Sequence, residues 1–551
     1  MDPLRVIPLG GLGEFGSNML ALEWGDDVIV VDCGVMFPSP EQLGIDLVIP
    51  DISYLVEQGK VPRAIILTHA HEDHIGALPY VLQHCPVPVF GTRLTLGFVR
   101  HKLREHRLEE ATELVEMVPG ERVSVGPFTI EGIPVTHSLV DCVALAIETP
   151  VGIVVHSGDF KIDNTPVAGE NFDFHRFAAY GDRGVLLLLS DSTNVENRGT
   201  TPSERSVGQG LRGIFASSPG RVFISTFASH IPRIQQVAEV AADFGRKLVL
   251  SGRSIINNTG IASDLGYLRL PHDVMTDGQS WQDVADDRLC FLTTGSQGEP
   301  LSVLHRVAFD EHRSIRLHPG DTVVLSARFI PGNEKIISNL INHLYKRGAQ
   351  VHYERTSEIH VSGHASQEEL KTMLQLTRPR YFVPLHGEYR QLSKHVELAR
   401  AVGIPADNCF LLENGDVLEL DGEDAWRVEP VSTGKVFVDG KGVGDVEDIV
   451  IRDRRHLSED GLVLVAMAVH PRTGEVTAGP DLLARGFMRS EEEDDVLGTA
   501  KDALWAYLDG CGAETRTDSV ELKEGIRRSL RRFFEKRLHR RPVIVPYIME
   551  M

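Results

Sequence analysis

Short apolar runs that stop abruptly at polar or glycine residues dominate the first two hundred positions. Val28–Val31 ends in Asp32, Ala64–Leu67 in Thr68, Gly152–Val155 at His156 and Val185–Leu189 at Ser190. Runs this short and this apolar predict buried strands that deliver functional groups at their ends. From about Ser206 to Ser362 the pattern lengthens. Ile234, Val237, Ala238 and Ala241 keep helical spacing before Gly245, while Val249–Leu250 and Thr322–Leu325 read as strands. That alternation predicts an inserted α/β domain with a partly parallel sheet. Glycine and acidic residues between Asp421 and Asp448 read as a connector. A last unit follows, with a strand (Leu462–Val469), an acidic run (Glu491–Asp495), a basic helix (Lys523–Arg540) and a closing strand (Val543–Tyr547). No internal repeat or low-complexity segment is visible.

Composition narrows the class. With 551 residues, 42% hydrophobic and 24% charged, the chain is an ordinary globular protein that can bury several cores. No apolar run approaches the ~18 residues of a membrane span, and Met1 to Leu9 lacks the basic-then-apolar layout of a signal peptide. A cytoplasmic location is therefore expected, with no membrane partner. The six cysteines are scattered without a CxxC pair, so free and mostly buried thiols are expected. The formal charge of −22 opposes nucleic-acid binding by the surface as a whole. A polyanionic substrate would need a local basic channel, or metal ions, to offset that field.

His69-Ala70-His71-Glu72-Asp73-His74 is the strongest chemical signal. It follows an apolar strand and precedes the short apolar segment Ile75–Val81. A strand, a tight loop and a helix let such closely spaced side chains converge on one point. Imidazole nitrogen and carboxylate oxygen suit zinc, and open coordination positions would make the site catalytic. A histidine-rich surface loop is the bland alternative, and the buried strand before it argues against that. Further ligand candidates stand where apolar runs end: His137, Asp159 and His386. Gly11-Leu12-Gly13-Glu14-Phe15-Gly16 spells the dinucleotide-binding GxGxxG, but no helix follows it. The nearly all-apolar stretch after Ser17 runs through Gly25-Asp26-Asp27 into another strand, which reads as a hairpin.

HxHxDH followed by a histidine, an aspartate and a final histidine resembles the ordered ligand set of the metallo-β-lactamase superfamily. The resemblance implies two zinc ions per subunit. One would be held by His69, His71 and His137, the other by Asp73, His74 and His386, with Asp159 bridging. Asp32 matches the first-motif aspartate that orients ligands from behind. The chain between Asp159 and His386 is long enough for a whole domain, which resembles the β-CASP nucleases. Asp191 matches their motif A, His364 motif B and His386 motif C, where histidine accompanies RNA substrates and valine DNA.

Thr226-Phe227-Ala228-Ser229-His230, His360-Val361-Ser362-Gly363-His364-Ala365-Ser366 and the ending from Phe533 to Pro546 resemble the ribonuclease J family of β-CASP ribonucleases. The fold then expected is an α/β metallo-β-lactamase αββα sandwich, with an inserted β-CASP α/β domain and a small α+β C-terminal domain. Its parts would be 1–205, 206–365, 366–448 (second part and connector) and 449–551.

Catalysis would use Asp73, Asp191 and His364, with His364 hydrogen-bonding the scissile phosphate or protonating the leaving oxygen. Ser229, His230 and Ile231, with His360, Val361, Ser362, Gly363 and His364, would hold substrate. Ser366 and Glu369 spell a capping box opening a helix over Gln367–Leu376. Another helix starts near Pro232, and both entrances offer N–H groups to phosphate.

The family also implies calcium at Gly44, Asp46 and Asp439, and manganese or magnesium as substitutes or aids. Its partners would be single-stranded 5′-monophosphate RNA, a second subunit (homodimer or tetramer) and other RNA-decay proteins. The C-terminal unit would carry the dimer, because Leu530, Phe533 and Phe534 form an apolar stripe among arginines. The function implied is RNA hydrolysis, internal and 5′-to-3′, in mRNA decay and rRNA maturation. Three rivals remain: a β-CASP DNA nuclease, opposed by His386; a lactamase-like esterase, opposed by the insertion; and a silent RNA-binding scaffold, opposed by the complete ligand set.

Overall fold

Strands such as Asp27–Val31, Ala64–Ile66 and Val89–Gly91 are parallel and buried, which is why they read as continuous apolar runs. The computed structural model describes residues 2–551 apart from 40, 58, 277–279, 331–332, 355–356, 441, 445 and 447, and the side chains of 490 and 491 are likewise outside it. The chain divides into two units, Met1–Phe37 with Val48–Val436, and Pro38–Leu47 with Phe437–Met551.

In the first unit an eight-stranded sheet, running from Ala425–Val428 at one edge to Leu114–Glu116 at the other, faces a six-stranded sheet. Leu20, Leu22, Ile29 and Ile66 from one meet Phe128, Leu145, Val154, Leu187 and Val383 from the other in a single core. Arg93–Glu105 packs on the first sheet, and Tyr389–Ala401 and Gln367–Thr377 on the second. This is the expected αββα sandwich. The glycine-rich apolar stretch does form a hairpin: Met19–Trp24 and Asp27–Val31 pair antiparallel.

The stretch between 421 and 448 differs from a plain connector. It contains the strands Ala425–Val428, Lys435–Asp439 and Gly442–Val443, and residues 441, 445 and 447 lie outside the described residues. Its glycines serve turns, since Gly422, Gly440 and Gly444 all adopt positive φ.

The inserted region builds a five-stranded sheet whose pairings are all parallel, ordered Lys247–Ser251, Leu289–Thr293, Val222–Ser225, Thr322–Leu325, Gln350–His352. After Val222–Ser225 the chain goes through Ile231–Asp243 toward one edge, and after Thr322–Leu325 through Glu334–Lys346 toward the other. Between these neighbours lies the sheet's switch point, where open α/β sheets form a ligand crevice at the carboxyl ends of strands.

In the second unit Val476–Arg485, Leu462–Val469 and Val543–Glu550 form a sheet under the helices Ser490–Gly510 and Ser519–Leu538. Leu530 and Phe534 are fully buried there against Val463, Val465 and Leu504. The stripe expected to need a second subunit is thus covered by its own domain. Helical spacing shows that a face is apolar but not what covers it, and the inward residues of Leu462–Val469 do so. Among the described residues no helix is long and apolar enough to cross a membrane.

Candidate metal centre

Strand ends set the site. Asp32, at the end of Asp27–Val31, accepts hydrogen bonds from Thr68 N (2.8 Å) and Oγ1 (2.9 Å), tying it to the loop that opens the histidine motif. Its Oδ2 lies 2.8 Å from His74 Nδ1, which leaves His74 Nε2 to face inward. A helix begins at Glu72, inside the motif, so Asp73 and His74 sit on its first turn while His69 and His71 precede it.

Three overlapping groups of candidate ligand atoms result among the described residues. His69, His71, His137 and Asp159 form the first, Asp73, His74, Asp159 and His386 the second, and Asp159, Asp191, His364 and His386 the third, with the atoms of each group within 4.8 Å of one another. In the first, His71 Nδ1 is 3.0 Å from His69 Nε2 and 3.2 Å from His137 Nε2. In the second, Asp159 Oδ2 lies 3.3 Å from His74 Nε2 and 3.5 Å from His386 Nε2, and Asp73 Oδ2 lies 3.3 Å from His386 Nε2. Ligands ~2.0–2.1 Å from a tetrahedral centre are ~3.3–3.4 Å apart. The donor types and spacings therefore fit two divalent ions sharing Asp159.

The electrostatics agree. Burial pushes His69 and His137 well below the usual imidazole range and His71 down to about 4, so these rings present lone pairs rather than charge. Burial opposes the charged form of Asp159 too, but His386 and His74 outweigh it and hold the carboxyl well below its usual range. The same exchange works in reverse on the partners. Burial disfavours a proton on His386 and His74, yet Asp159 and its neighbours raise His386 to about 9 and His74 well above its ordinary value. Carboxylates that hold protons on two rings would hold a divalent cation in their place, since metal and proton compete for the same nitrogens. Apparent metal affinity is accordingly expected to climb with pH up to about 9, by about tenfold per pH unit for each proton released. Metal titrations at three pH values, with proton release followed by indicator dye, check this; a flat affinity would refute it.

The remaining predicted groups converge here. His364 Nδ1 is 2.8 Å from Asp191 Oδ2, and Asp191 Oδ1 accepts from Thr193 N (2.9 Å) and Oγ1 (2.7 Å). Thr193 Oγ1 also lies 2.7 Å from His386 Nδ1. With the hydroxyl donating to Asp191, that ring nitrogen donates to the hydroxyl and His386 Nε2 stays free for a ligand role. Gly363 O accepts from His137 Nδ1 at 2.7 Å, and a Cβ at 363 would sit 2.7 Å from the His137 ring. The loop that carries His364 therefore also fixes His137, and only glycine fits.

Ser229, His230 and Ile231 stand at the sheet's switch point. Ile359, next to His360, reaches it as well, because its carbonyl accepts from Ser326 Oγ (2.7 Å) and from the fully buried Arg233 (3.0 Å). The helix entrances differ from expectation. His230 caps its own helix by accepting from Arg233 N, and Ser366 and Glu369 close their box internally. Glu369 further accepts from Ile162 N and Thr201 N. The Ser366 entrance therefore already holds a carboxylate. Two buried ring nitrogens remain without a hydrogen-bond partner among the described residues: His230 Nε2, which lies 3.7 Å from Glu204 Oε2, and His360 Nδ1. Ser362 Oγ accepts from Asn194 Nδ2 at 2.7 Å, and Asn194 Oδ1 accepts from the exposed Arg328 at 3.1 Å.

Asn18 reaches the site although the sequence did not single it out. Its Nδ2 donates to Asp73 O (3.0 Å) and lies 3.4 Å from Asp73 Oδ2 and 3.2 Å from His74 Nε2. The signal lies in the glycine motif that spells GxGxxG. Gly11, at φ +87°, leaves room where a Cβ would meet Asn18 Oδ1 at 2.4 Å, so the loop exists to seat that amide. Thr193, Asn194 and Arg328 had no comparable sequence signal.

The calcium candidates come together within the second unit around a different cation. Arg454 donates to Leu43 O (3.0 Å) and Asp439 Oδ2 (2.6 Å) and lies against Gly44, while Asp46 Oδ2 accepts from Gly440 N at 2.8 Å. All six cysteines are free.

Comparison with known proteins agrees with this architecture. Residues 12–192 match the metallo-beta-lactamase superfamily, 219–344 the ribonuclease J beta-CASP domain, 348–409 the Zn-dependent metallo-hydrolase RNA specificity domain and 449–551 the ribonuclease J C-terminal domain. A crystal structure of a protein of unknown function from Enterococcus faecalis V583 shares the fold at TM-score 0.53 and 18% identity, over 76% of this chain and 100% of that one. Fold and ligand clusters define a divalent-metal-binding hydrolase of the metallo-β-lactamase superfamily with a β-CASP insertion. The chain is 42% identical to ribonuclease J of Thermus thermophilus, over 100% of its length and 96% of the relative's, and 38% identical to ribonuclease J2 of Bacillus subtilis over 100% and 99%. It belongs to the ribonuclease J family and is a metal-dependent ribonuclease.

Proposed function

We propose that this ribonuclease uses two zinc ions, held by His69, His71 and His137 and by Asp73, His74 and His386 with Asp159 between, to cut RNA internally and from the 5′ end. The observation that carries this is the pair of ligand groups sharing Asp159 beside the Asp191–His364 hydrogen bond. Bound divalent ions would supply a nucleophilic water and stabilise charge on the phosphoryl oxygens, and manganese or magnesium could take the same oxygen and nitrogen donors. His364, held by Asp191, presents Nε2 to the leaving oxygen or the scissile phosphate and moves the proton there. Asp32, Thr193 and the Gly363 carbonyl keep the ligand rings aimed inward. The division at 205, 365 and 448 follows from the same reading. The roles proposed are mRNA decay and rRNA maturation in the cytoplasm. Self-association is supported by Val545, Tyr547 and Met549, exposed on the closing strand.

The 5′ end is read by the crevice at the switch point. His230, His360, Ser362 and Arg328 offer donors for a terminal monophosphate, and a bulkier triphosphate would not seat. Exonucleolytic decay is expected to run at least about tenfold faster on 5′-monophosphate than on 5′-triphosphate RNA of one sequence, with less discrimination in internal cleavage. Ser362→Ala should slow the exonuclease while zinc content stays intact, because Ser362 is no ligand. Equal decay of both RNAs by the wild-type enzyme would refute the pocket.

A further inference from the structure

The helix Ser519–Leu538 has two opposed faces. Leu522, Ile526, Leu530 and Phe534 are fully buried in the core of the second unit. Arg527, Arg528, Arg531, Arg532, Lys536 and Arg537 on the rest of its surface are exposed. Seven Lys and Arg stand against three Glu in this helix, in a chain whose net charge is −22. Two of the helix's own three acids are paired, and the neighbouring helix Ser490–Gly510 begins with an acidic run. Glu524 pairs with Arg527 at 3.4 Å and Glu535 with Arg541. On the neighbouring helix Glu493 pairs with Arg485 at 3.6 Å. Among the described residues Arg528, Arg531, Arg532, Lys536 and Arg537 form no ion pair.

That arrangement works against the helix itself. Arg527 and Arg531, Arg528 and Arg532, and Arg532 and Lys536 are like-charged neighbours one turn apart, ~6 Å along the axis, and such pairs destabilise a helix. An anion lying over them reverses the sign. Guanidinium rows of this kind match phosphates, and binding gains from the counterions a polyanion releases. In a chain this acidic a local basic surface would draw RNA against the overall field, beyond what metal ions would do at the catalytic cluster.

We propose that the exposed face of Ser519–Leu538 is a second RNA-binding surface, which holds the backbone of single-stranded RNA outside the catalytic centre without reading its sequence. An acidic protein would match the same charge, but the enzyme's own substrate is a polyanion present at every turnover. The proposal rests on the chain's action on RNA, and on nothing in the assignment of zinc or the 5′ pocket.

The test replaces Arg528, Arg531, Arg532 and Lys536 together by Gln in the full-length, metal-loaded enzyme. Its substrates are an unstructured RNA of ~40 nucleotides and an oligomer of ~6 that fills only the cleavage site, over a range of salt. On the long RNA KM should rise about tenfold or more with kcat unchanged, and the slope of log KM against log salt should flatten by about 0.7 for each phosphate that is no longer neutralised. The short oligomer should be cut as before. The thermal midpoint should hold or rise, since repulsion is relieved. A version carrying Lys at all four positions should restore most of the affinity. Anisotropy with the metal-stripped full chain measures the same affinity if cleavage fails, so this proposal and the cleavage mechanism fall separately. Unchanged long-RNA affinity and salt slope would overturn it. So would a smaller assembly by light scattering with the salt slope intact, which would assign the face to a second copy.

Discussion

Asp159→Ala is expected to abolish RNA cleavage and strip metal from both positions, the largest effect of any single change in the chain. Its Oδ2 stands 3.3 to 3.8 Å from the inward nitrogens of His69, His74, His137 and His386. Among the described residues Asp159 is the one side chain common to all three groups of candidate ligands. Removing it takes a ligand from each ion and a negative charge from between them. It also leaves His74 and His386 without their strongest carboxylate partner. Loss of an outer partner of a metal ligand typically costs ~10–100-fold in affinity or activity. Loss of a shared direct ligand should exceed that, with turnover falling below detection and bound metal dropping toward zero. Asp73→Ala should empty mainly the second position, which makes the pair diagnostic. Metal analysis with turnover on one labelled RNA measures both. Two ions retained per chain in Asp159→Ala would sink the shared-ligand geometry.

How far the sequence carried depended on where each group found its partners. The motif from His69 to His74 was legible because strand, loop and helix turn are local, and spacing alone makes the side chains converge. His137, Asp159 and His386 could be nominated as strand ends, but only the family's ligand order joined them, since they meet through the pairing of distant strands. The hydrogen bond from His364 to Asp191 spans 173 positions, and the one from His137 to Gly363 spans 226. Neither leaves a local trace. Helix entrances misled for the opposite reason. Ser366 and His230 carry the right local chemistry, yet that chemistry is satisfied within the protein, by Glu369 and by the His230 ring itself. Asn18 shows the cost of treating a motif as simply present or absent. The glycines at 11, 13 and 16 do require positive φ, and they bend the chain toward His74 instead of toward a nucleotide.

His364→Ala is expected to slow cleavage by ~10²–10⁴-fold, the range for removing a positioned acid or base, while metal content stays at the wild-type value. It is half-buried, its Nδ1 bonded to Asp191, and among the described residues no side chain bonds its Nε2, so that nitrogen is the one offered to substrate. Asp191 acts through it. Burial disfavours the Asp191 carboxylate, but His364 outweighs that and holds its pKa below the usual value, so the anion fixes the ring with Nδ1–H toward itself. Asp191→Asn keeps the shape and removes that charge, and the amide can present its NH₂ to Nδ1. The ring would then carry its one proton on Nε2 and, with no carboxylate to accept from Nδ1–H, lose the arrangement that lets it give a proton to the leaving oxygen. A purely structural Asp191 would add its cost to that of His364→Ala. A positioning Asp191 has nothing left to position once the ring is gone. The double variant should therefore be about as slow as His364→Ala alone, well short of the product of the two single effects. Single-turnover rates on one 5′-monophosphate RNA, with metal measured in each sample, separate the cases. Fully multiplicative losses, or loss of metal in His364→Ala, would show that this pair supports the site instead of carrying the proton.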